Sequence, residues 1–253
     1  MGHRSLVREA AKWGDGCVVS IFVNRLQFLA HEDFDRYPRT FEDDLQALSE
    51  EPCDVVFAPS EHDLYPEAQT FRLRPDPGLA EQLEGVFRPG FFEGVSTVVL
   101  KLFLAVFSGK TSGTTVFGKK DYQQWRVIEA MVRQFALPIN VVACDSVREE
   151  DGLAMSSRNR FLDPHERQRA GALFASLCMM RDTLLAHGEV ADLSTIREVE
   201  NQAMQALRCE GWDVDYLCFR RSKDLGLSRP GELRVALGAA RLKNTRLIDS
   251  LEF

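Results

Sequence analysis

The sequence predicts a doubly wound parallel α/β domain followed by a smaller α+β domain. Residues 17–23 and 53–58 are apolar at nearly every position and rich in β-branched residues. Strands of this composition are typical of parallel sheets that are covered on both faces. They alternate with amphipathic helical segments, which is the order found in doubly wound sheets. The pattern changes after Leu162, so we place the first domain at residues 1–162 and the second at 163–253.

The periodicity of apolar residues places each element of the first domain. We expect its four strands to be neighbours in one parallel sheet, with Asn24 and Gly118 at the same edge. In open α/β sheets, ligands bind at the edge formed by the carboxyl ends of the strands. The predicted helices are residues 3–13, 42–49, 93–107 and 122–135, and the predicted strands are residues 17–23, 53–58, 115–117 and 139–144.

The second domain opens on a helix start signal, with Asp163 at the cap and Pro164 at the first helical position. Two helices then precede two strands, which favours helices packed on a small antiparallel sheet. The predicted helices are residues 167–186 and 193–208, and the strands are residues 214–219 and 233–239.

Composition excludes several classes of protein. The 253 residues have a formal net charge of −7, which argues against a general nucleic-acid or membrane-surface binder. No apolar run is long enough to span a bilayer, and no signal-peptide core follows the first residues. The six cysteines form no Cys-x-x-Cys pair and the five histidines show no ligand spacing. We therefore expect a cytoplasmic protein with reduced thiols and no structural metal site.

Two polar clusters, at residues 117–124 and 151–159, hold most of the side chains suited to chemistry. Gly118 allows close approach of a backbone, while Lys120 and Arg158 supply cations. Taken alone, such cations are ordinarily solvated surface charges. Together with the hydroxyl, carboxylate and amide groups beside them, they predict a site for a nucleotide phosphate and a small polar substrate.

A phosphate-loop interpretation of Gly109-Lys110-Thr111 is disfavoured. That motif needs a glycine five residues before Gly109, where Leu104 stands, and it follows a strand, whereas this segment follows a predicted helix.

The chain contains six short sequence blocks, each of which occurs once. They are Ser-Ile-Phe-Val-Asn at 20–24, Tyr-Pro-Arg-Thr at 37–40, Phe-Arg-Pro-Gly at 87–90, Phe-Gly-Lys-Lys-Asp-Tyr-Gln-Gln at 117–124, Asp-Gly-Leu-Ala-Met-Ser-Ser-Arg-Asn at 151–159 and Thr-Arg-Leu-Ile-Asp at 245–249. In this order and spacing they resemble the signature blocks of the pantoate–β-alanine ligase family, and the resemblance extends over nearly the whole chain.

The resemblance implies a Rossmann-like domain, similar to that of nucleotidylyltransferases and class I tRNA synthetases, and then a small carboxyl-terminal domain. It implies a reaction in two steps: ATP and pantoate give pantoyl adenylate and pyrophosphate, and β-alanine then gives pantothenate and AMP. Mg²⁺ is implied as the companion of ATP, and a homodimer is implied as the assembly.

The resemblance also assigns site residues, position by position, and assigns no metal ligand from the protein. His3 matches the second histidine of the family's His-x-Gly-His turn, and with Lys120 and Arg158 it forms the catalytic group. Asn24, Gln27 and Gln124 are assigned to pantoate and β-alanine. The positions assigned to ATP are Gly2, His3, Gly118, Lys119, Lys120, Asp121, Val147, Met155, Ser156, Ser157 and Arg158.

Four departures separate the chain from the family pattern. The sequence starts at the His3 end of the turn, so the family's first strand, which is central to its sheet, and its first histidine have no counterpart. That difference implies lower stability and an ATP site that is open on the His3 side. Arg25 stands for the usual proline, Phe91 for the usual histidine, and Lys119 for the usual glutamate.

Two further hypotheses remain beside the ligase. One is another nucleotidyl transferase on the same fold, and Gln27 and Gln124 favour the pantoate reaction over it. The other is an inactive paralogue or fragment that only associates with other subunits, which the missing first strand and Phe91 support. Substrate screening would distinguish the other nucleotidyl transferase from the ligase. Calorimetric measurement of ATP binding would distinguish the inactive protein from the ligase.

Overall fold

The computed structural model describes residues 2–29, 34, 40–188 and 192–253, and it divides the chain into two compact units. The sequence-based division placed residues 145–162 in the first domain, whereas here they cluster with the carboxyl-terminal residues. The first unit consists of His3–Gly118 and Gln123–Cys144, and the second of Gly2, Lys119–Tyr122 and Asp145–Phe253.

The four predicted helices of the first part of the chain are confirmed to within one turn at each end. Three short helices between β2 and α6 carried no clear apolar period. The elements up to residue 144 are α1 (Gly2–Ala10), β1 (Val18–Ser20), α2 (Phe41–Ser49), β2 (Val55–Phe57), α3 (Glu61–Leu64), α4 (Pro77–Ala80), α5 (Glu84–Phe87), α6 (Phe91–Val106), β3 (Gly113–Gly118), α7 (Tyr122–Gln134) and β4 (Ile139–Cys144).

The strands pair in parallel, as expected, but not as one sheet. β1 pairs with β2 and β3 pairs with β4, and within the described residues no ladder joins the two pairs. The expectation of a single four-stranded sheet was therefore wrong. An apolar run predicts a strand, but pairing requires two strand edges to lie about 4.8 Å apart, and that spacing depends on the rest of the fold.

The β1–β2 ladder is also less covered than its composition indicated. Val18 and Val55 are partners across the ladder, yet they are 41% and 53% exposed. The expectation that both faces of these strands are buried was wrong. The core of this unit instead lies between α6 and α7, where Val95 and Ile128 are almost completely buried.

Helix α1 is held to the rest of the first unit by an apolar contact and by ion pairs to Glu50 and Glu51. Val7 packs in a small core with Cys17. Arg8 binds the carboxylate of Glu51 through two hydrogen bonds of 2.6 Å, and Arg4 binds the same carboxylate. The Glu51 side chain is 1% exposed. Hydrogen bonds from Arg8, and then from Arg4, lower the pKa of Glu51 to about 2, against the opposing effect of burial.

The second unit packs helices on an antiparallel sheet, as the sequence predicted. The predicted start of α8 is confirmed, because the Asp163 carboxylate accepts the N–H of Glu166 at 2.8 Å and Pro164 follows the cap. β6 lies between β5 and β7, and its residues Ala236, Ala240 and Leu242 pack in one core with side chains of α9 and α10. The elements are α8 (Pro164–Arg169), α9 (Ala172–Ala186), α10 (Leu193–Cys209), β5 (Asp213–Arg221), β6 (Arg234–Leu242) and β7 (Thr245–Glu252).

Replacing Glu51 with Gln should lower the free energy of unfolding at neutral pH and reduce its dependence on pH. The folded pKa of about 2 lies below the ordinary value of 4.5, so the ion pair stabilises the fold above that value. The stabilisation is lost as the pH falls towards 2, and the gap between wild type and variant should narrow over that range. Urea unfolding at a series of pH values measures this gap.

Glu50→Gln is the matched control, because Glu50 also binds Arg4 but its side chain is 63% exposed. Exposed ion pairs contribute little to stability, so this variant should resemble wild type. The difference in unfolding free energy between wild type and Glu51→Gln could instead stay constant from neutral pH down to about pH 2. That result would contradict a stabilising ion pair between Glu51 and the two arginines.

Candidate active site

Two short turns of the second unit pack against the same strand, β7. One is the 3₁₀ turn Lys119–Asp121, and the other is the 3₁₀ turn Ser157–Phe161. The two polar clusters of the sequence, about 30 residues apart along the chain, are thus brought to one structural element. Lys120 and Arg158, the cations assigned to phosphate, each lie in one of these turns.

The lysines of the first turn have different surroundings. The Lys119 ammonium lies 2.9 Å from carboxylate oxygens of Asp145 and Glu252. Burial lowers the pKa of Lys119, but the hydrogen bonds to Asp145 and Glu252 outweigh that effect and raise it. Lys120 lies 3.3 Å from the carboxylate of its neighbour Asp121, and its side chain is 20% exposed. The charge of Lys119 is therefore already compensated by the protein, more fully than that of Lys120.

The loop that leads to the second turn is closed by its own backbone. The N–H of Met155 donates to the carbonyl of Val147 at 2.9 Å, so two positions assigned to ATP are direct partners. Gly152 makes the reversal with a φ of 87°, a conformation that favours glycine. Gly2 lies against this loop, since a Cβ on Gly2 would be 3.3 Å from the Cβ of Met155.

Ser156 caps the turn that carries Arg158. Its hydroxyl oxygen accepts the N–H of Arg158 at 3.3 Å. Ser156 therefore acts as the N-terminal cap of this turn. Ser157 and Arg158 are both partly buried, and Asn159 ties the turn to the preceding loop through a 3.0 Å bond to the carbonyl of Ala154.

A buried ion pair between Arg148 and Asp249 joins this loop to β7. The guanidinium donates to both carboxylate oxygens, at 2.6 and 3.0 Å, and also to the carbonyls of Gly152 and Ser250. It stacks 3.4 Å from the ring centroid of Phe174. Burial raises the pKa of Asp249, while Arg148 acts in the opposite direction. Sequence reasoning missed this pair, although Asp249 closes a signature block.

In the first unit, Asn24 is a buried hub that holds Gln27. Its amide nitrogen donates to the Gln27 side chain at 3.0 Å and to the carbonyl of Gly94 at 3.1 Å. Its oxygen accepts the Tyr65 hydroxyl at 3.0 Å, and burial raises the pKa of Tyr65 to about 12. The Gln27 amide nitrogen has no protein partner within the described ranges, whereas the groups of Asn24 are engaged.

The adjacent glutamines at the start of α7 have opposite environments. Gln123 is 3% exposed and uses its amide for the carbonyls of Leu79 and Gln82 and for the N–H of Glu84. Gln124 is partly exposed, and its side chain makes no hydrogen bond to any residue that the structure describes. Of the two, Gln124 is the one whose amide is available for a ligand.

The remaining assigned positions lie at element ends. Gly118 ends β3 opposite Cys144, and His3 is exposed in the first turn of α1. The Tyr-Pro-Arg part of the block at 37–40 lies outside the described residues. Gly109 and Lys110 lie in the loop between α6 and β3, so the segment does not follow a strand, as a phosphate loop would.

The described residues contain no group of three or more His, Cys, Asp or Glu side chains that could hold a metal ion. Among them, no helix combines the length and apolar composition needed to cross a membrane.

Arg148→Met should destabilise the second unit by about 3–5 kcal/mol, because it leaves the Asp249 carboxylate, 3% exposed, buried without its cation. Adding Asp249→Asn should recover part of the loss, since a neutral amide is cheaper to bury than an unpaired charge. Urea unfolding measures both variants.

Arg221→Met serves as the control, because Arg221 pairs with Asp224 and Glu232, whose side chains are 50% and 30% exposed. Its loss should cost much less than the loss of Arg148, because solvent screens exposed ion pairs. Equal costs for the two arginines would refute the importance assigned to the buried pair.

Comparison with known proteins places the chain in a family. The family model described as pantoate-beta-alanine ligase matches residues 1–252. A pantothenate synthetase of Paracidovorax citrulli (strain AAC00-1) is 57% identical over 256 residues, which cover 100% of this chain and 89% of that protein. A crystal structure of pantothenate synthetase from Thermus thermophilus has a TM-score of 0.91 at 39% identity, covering 99% of this chain and 88% of that one.

A crystal structure of pantoate-β-alanine ligase from Francisella tularensis, complexed with β-γ ATP and β-alanine, has a TM-score of 0.73 at 30% identity. That similarity covers 99% of this chain and 84% of the Francisella chain. The match of the family model to nearly every residue, together with identity above one half to a curated relative, shows that the chain belongs to the pantoate–β-alanine ligase family.

Proposed function

We propose that the chain condenses pantoate with β-alanine in an ATP-dependent reaction that gives pantothenate, AMP and pyrophosphate. The observation that carries this function is the docking of two turns, one with Lys120 and one with Arg158, on the single strand β7. The solved Francisella relative is complexed with β-γ ATP and β-alanine, which supports ATP and β-alanine as substrates of this chain.

In the first step, a carboxylate oxygen of pantoate attacks the α-phosphorus of ATP. An oxygen–phosphorus bond forms, the bond to the bridging oxygen breaks, and pyrophosphate leaves with its electron pair. Negative charge builds on the phosphate oxygens, and the cations of Lys120 and Arg158 stabilise it more in the transition state than in the ground state. Asp121 and the 155–158 turn, which lie in the same unit as Lys120 and Arg158, are also proposed to bind ATP. His3 and Gly118 of the first unit keep the ATP role that the family resemblance implies.

In the second step, the amine of β-alanine attacks the acyl carbon of pantoyl adenylate. A carbon–nitrogen bond forms, AMP leaves with the original carboxylate oxygen, and the amine loses a proton. Because AMP is already a good leaving group, no protein nucleophile is needed. The protein contributes positioning and electrostatics.

Pantoate is proposed to bind through the amides of Gln27 and Gln124. Both side chains offer donors that the described part of the protein does not use. Asn24 is proposed to act chiefly by holding Gln27, because its own amide is fully engaged by Gln27, Gly94 and Tyr65.

Phe91, which replaces the family's histidine, is well packed beside Gln27. Phe91 is 8% exposed and packs edge-on against Phe92 at 4.8 Å between centroids. Arg88 lies 3.7 Å above the Phe91 ring and donates to the backbone carbonyl of Gln27 at 3.3 Å. This packing shows that the fold accommodates the phenylalanine without a cavity.

Mg²⁺ is proposed to arrive with ATP. Mg²⁺ is usually held by substrate phosphates and water with one or two carboxylates of the protein. When bound, the ion neutralises phosphate charge. Asp121, 45% exposed beside Lys120, is the carboxylate of the ATP group. A homodimer and a cytoplasmic location stay predictions.

Lys120→Ala should slow pantoyl adenylate formation by about 10²–10³-fold, the usual effect of removing one donor that acts on transition-state charge. Pantoate-dependent release of pyrophosphate measures this step. Lys110→Ala is the control, because Lys110 is an exposed lysine in the phosphate-loop-like segment. Normal pyrophosphate release by the Lys120 variant would remove Lys120 from the mechanism.

Gly94→Ala should raise the KM for pantoate. A Cβ at Gly94 would lie 2.4 Å from the backbone oxygen of Leu26, so the turn Arg25–Gln27 must shift. A displacement of about 1 Å can cost up to 100-fold in rate, and here the displaced group is Gln27. Gly14→Ala, where a Cβ would meet only one atom at 3.9 Å, is the control. An unchanged KM in a folded Gly94 variant would rule out this role of Gln27.

A further inference from the structure

We propose that Glu252, on β7, is a positioning residue for the phosphate lysine, Lys120. This inference rests on the proposed function only for its consequence in catalysis. The structural claim is that one carboxylate grips the chain on both sides of Lys120 and fixes the conformation of the turn that carries it.

The grip has two hydrogen bonds, one from each end of the turn. Oε2 of Glu252 accepts the Lys119 ammonium at 2.9 Å, and Oε1 accepts the Tyr122 hydroxyl at 2.6 Å. Lys119 begins the 3₁₀ turn, and Tyr122 begins α7, so Lys120 lies between the two anchored residues. A bidentate carboxylate of this kind restrains both ends of a short segment at once.

A third bond from the same strand restrains the backbone. The Ser250 hydroxyl donates to the carbonyl of Lys119 at 2.6 Å. Ser250 and Glu252 are two residues apart on β7, so their side chains lie on the same face of the strand. The Tyr122 side chain is among the largest fully buried side chains, at 1% exposure, which anchors that end of the turn in the core.

The charges explain why Lys119 and Glu252 belong together. Lys119 stands where the family pattern has glutamate, and its ammonium is shared between Glu252 and Asp145. A glutamate at that position would face two carboxylates. The Asp145 side chain is 90% exposed, whereas Glu252 is 20% exposed. Solvent screens the first partner, so Glu252 makes the stronger interaction.

The consequence falls on one step of the reaction. With Lys119 and Tyr122 held, Lys120 projects from a turn of fixed conformation, and its ammonium is preorganised for phosphate charge. That charge develops when the adenylate forms. Aminolysis of pantoyl adenylate by β-alanine transfers no phosphorus, so it should depend much less on the grip.

Glu252→Gln tests the proposal without a large change of shape. Hydrogen exchange followed by mass spectrometry should show exchange at residues 119–122 faster by about tenfold, the effect of losing a charged hydrogen bond. Pantoate-dependent pyrophosphate release should fall by a similar factor, with a raised KM for ATP. Aminolysis of supplied pantoyl adenylate should change by less than about twofold.

Asp215→Asn is the matched control. Asp215 pairs with Arg246 of β7 at 2.7 Å and is 10% exposed, so the variant removes a comparably buried carboxylate from the same sheet. It should lower the melting temperature without changing exchange at 119–122 or the KM for ATP. A purely structural role of Glu252 would make the two variants alike, and that result would overturn the proposal.

A charge reversal provides the second test and covers the case in which Glu252→Gln fails to fold. Lys119→Glu alone should loosen the turn, and Lys119→Glu with Glu252→Lys should restore most of its protection. Unchanged exchange at 119–122 in a folded single variant, or no recovery in the double variant, would refute the grip. If wild type released no pyrophosphate, the proposed function would fail, while the exchange data would still decide the positioning role.

Discussion

The buried carboxylate of Asp249 is the constraint on which the phosphate-binding side of the second unit depends in this account. Its side chain is 3% exposed, and a charge in that position is tolerated only when it is paired and hydrogen-bonded. Arg148 satisfies it through two direct bonds, and the same guanidinium binds two backbone carbonyls. The conformation of the loop from Val147 to Met155 therefore follows from the need to keep one carboxylate neutralised.

A second carboxylate of strand β7, that of Glu252, also holds a neighbouring turn. Glu252 holds the turn of Lys120 as Asp249 holds the loop before Arg158. Neither carboxylate is assigned to a substrate. A rigid β-strand can hold two loops in register more precisely than the loops could hold each other, because its backbone is fixed by a ladder to β6. The small carboxyl-terminal sheet is, on this view, a template for the phosphate-binding turns.

Local signals were enough to predict part of this structure. The cap of α8 followed from Asp163 and Pro164, because a capping box lies within four adjacent residues. The ion pairs could not be predicted, because the partners Arg148 and Asp249 are 101 residues apart, and Lys119 and Glu252 are 133 apart. For the same reason, the apolar runs predicted parallel strands but not their division into two ladders. The site residues were assigned from the order of the signature blocks. Such blocks identify residue types suited to the reaction, but they do not show which side chains are in contact.

The transfer of oxygen-18 from labelled pantoate tests the proposed reaction most directly. Pantoate labelled in its carboxylate would be incubated with ATP, Mg²⁺, β-alanine and the purified chain. The label in AMP and in pyrophosphate would then be measured by mass spectrometry. Attack on the α-phosphorus predicts AMP that contains one carboxylate oxygen, with unlabelled pyrophosphate. Label in inorganic phosphate with formation of ADP, or pantothenate formed without label in AMP, would contradict an acyl-adenylate mechanism.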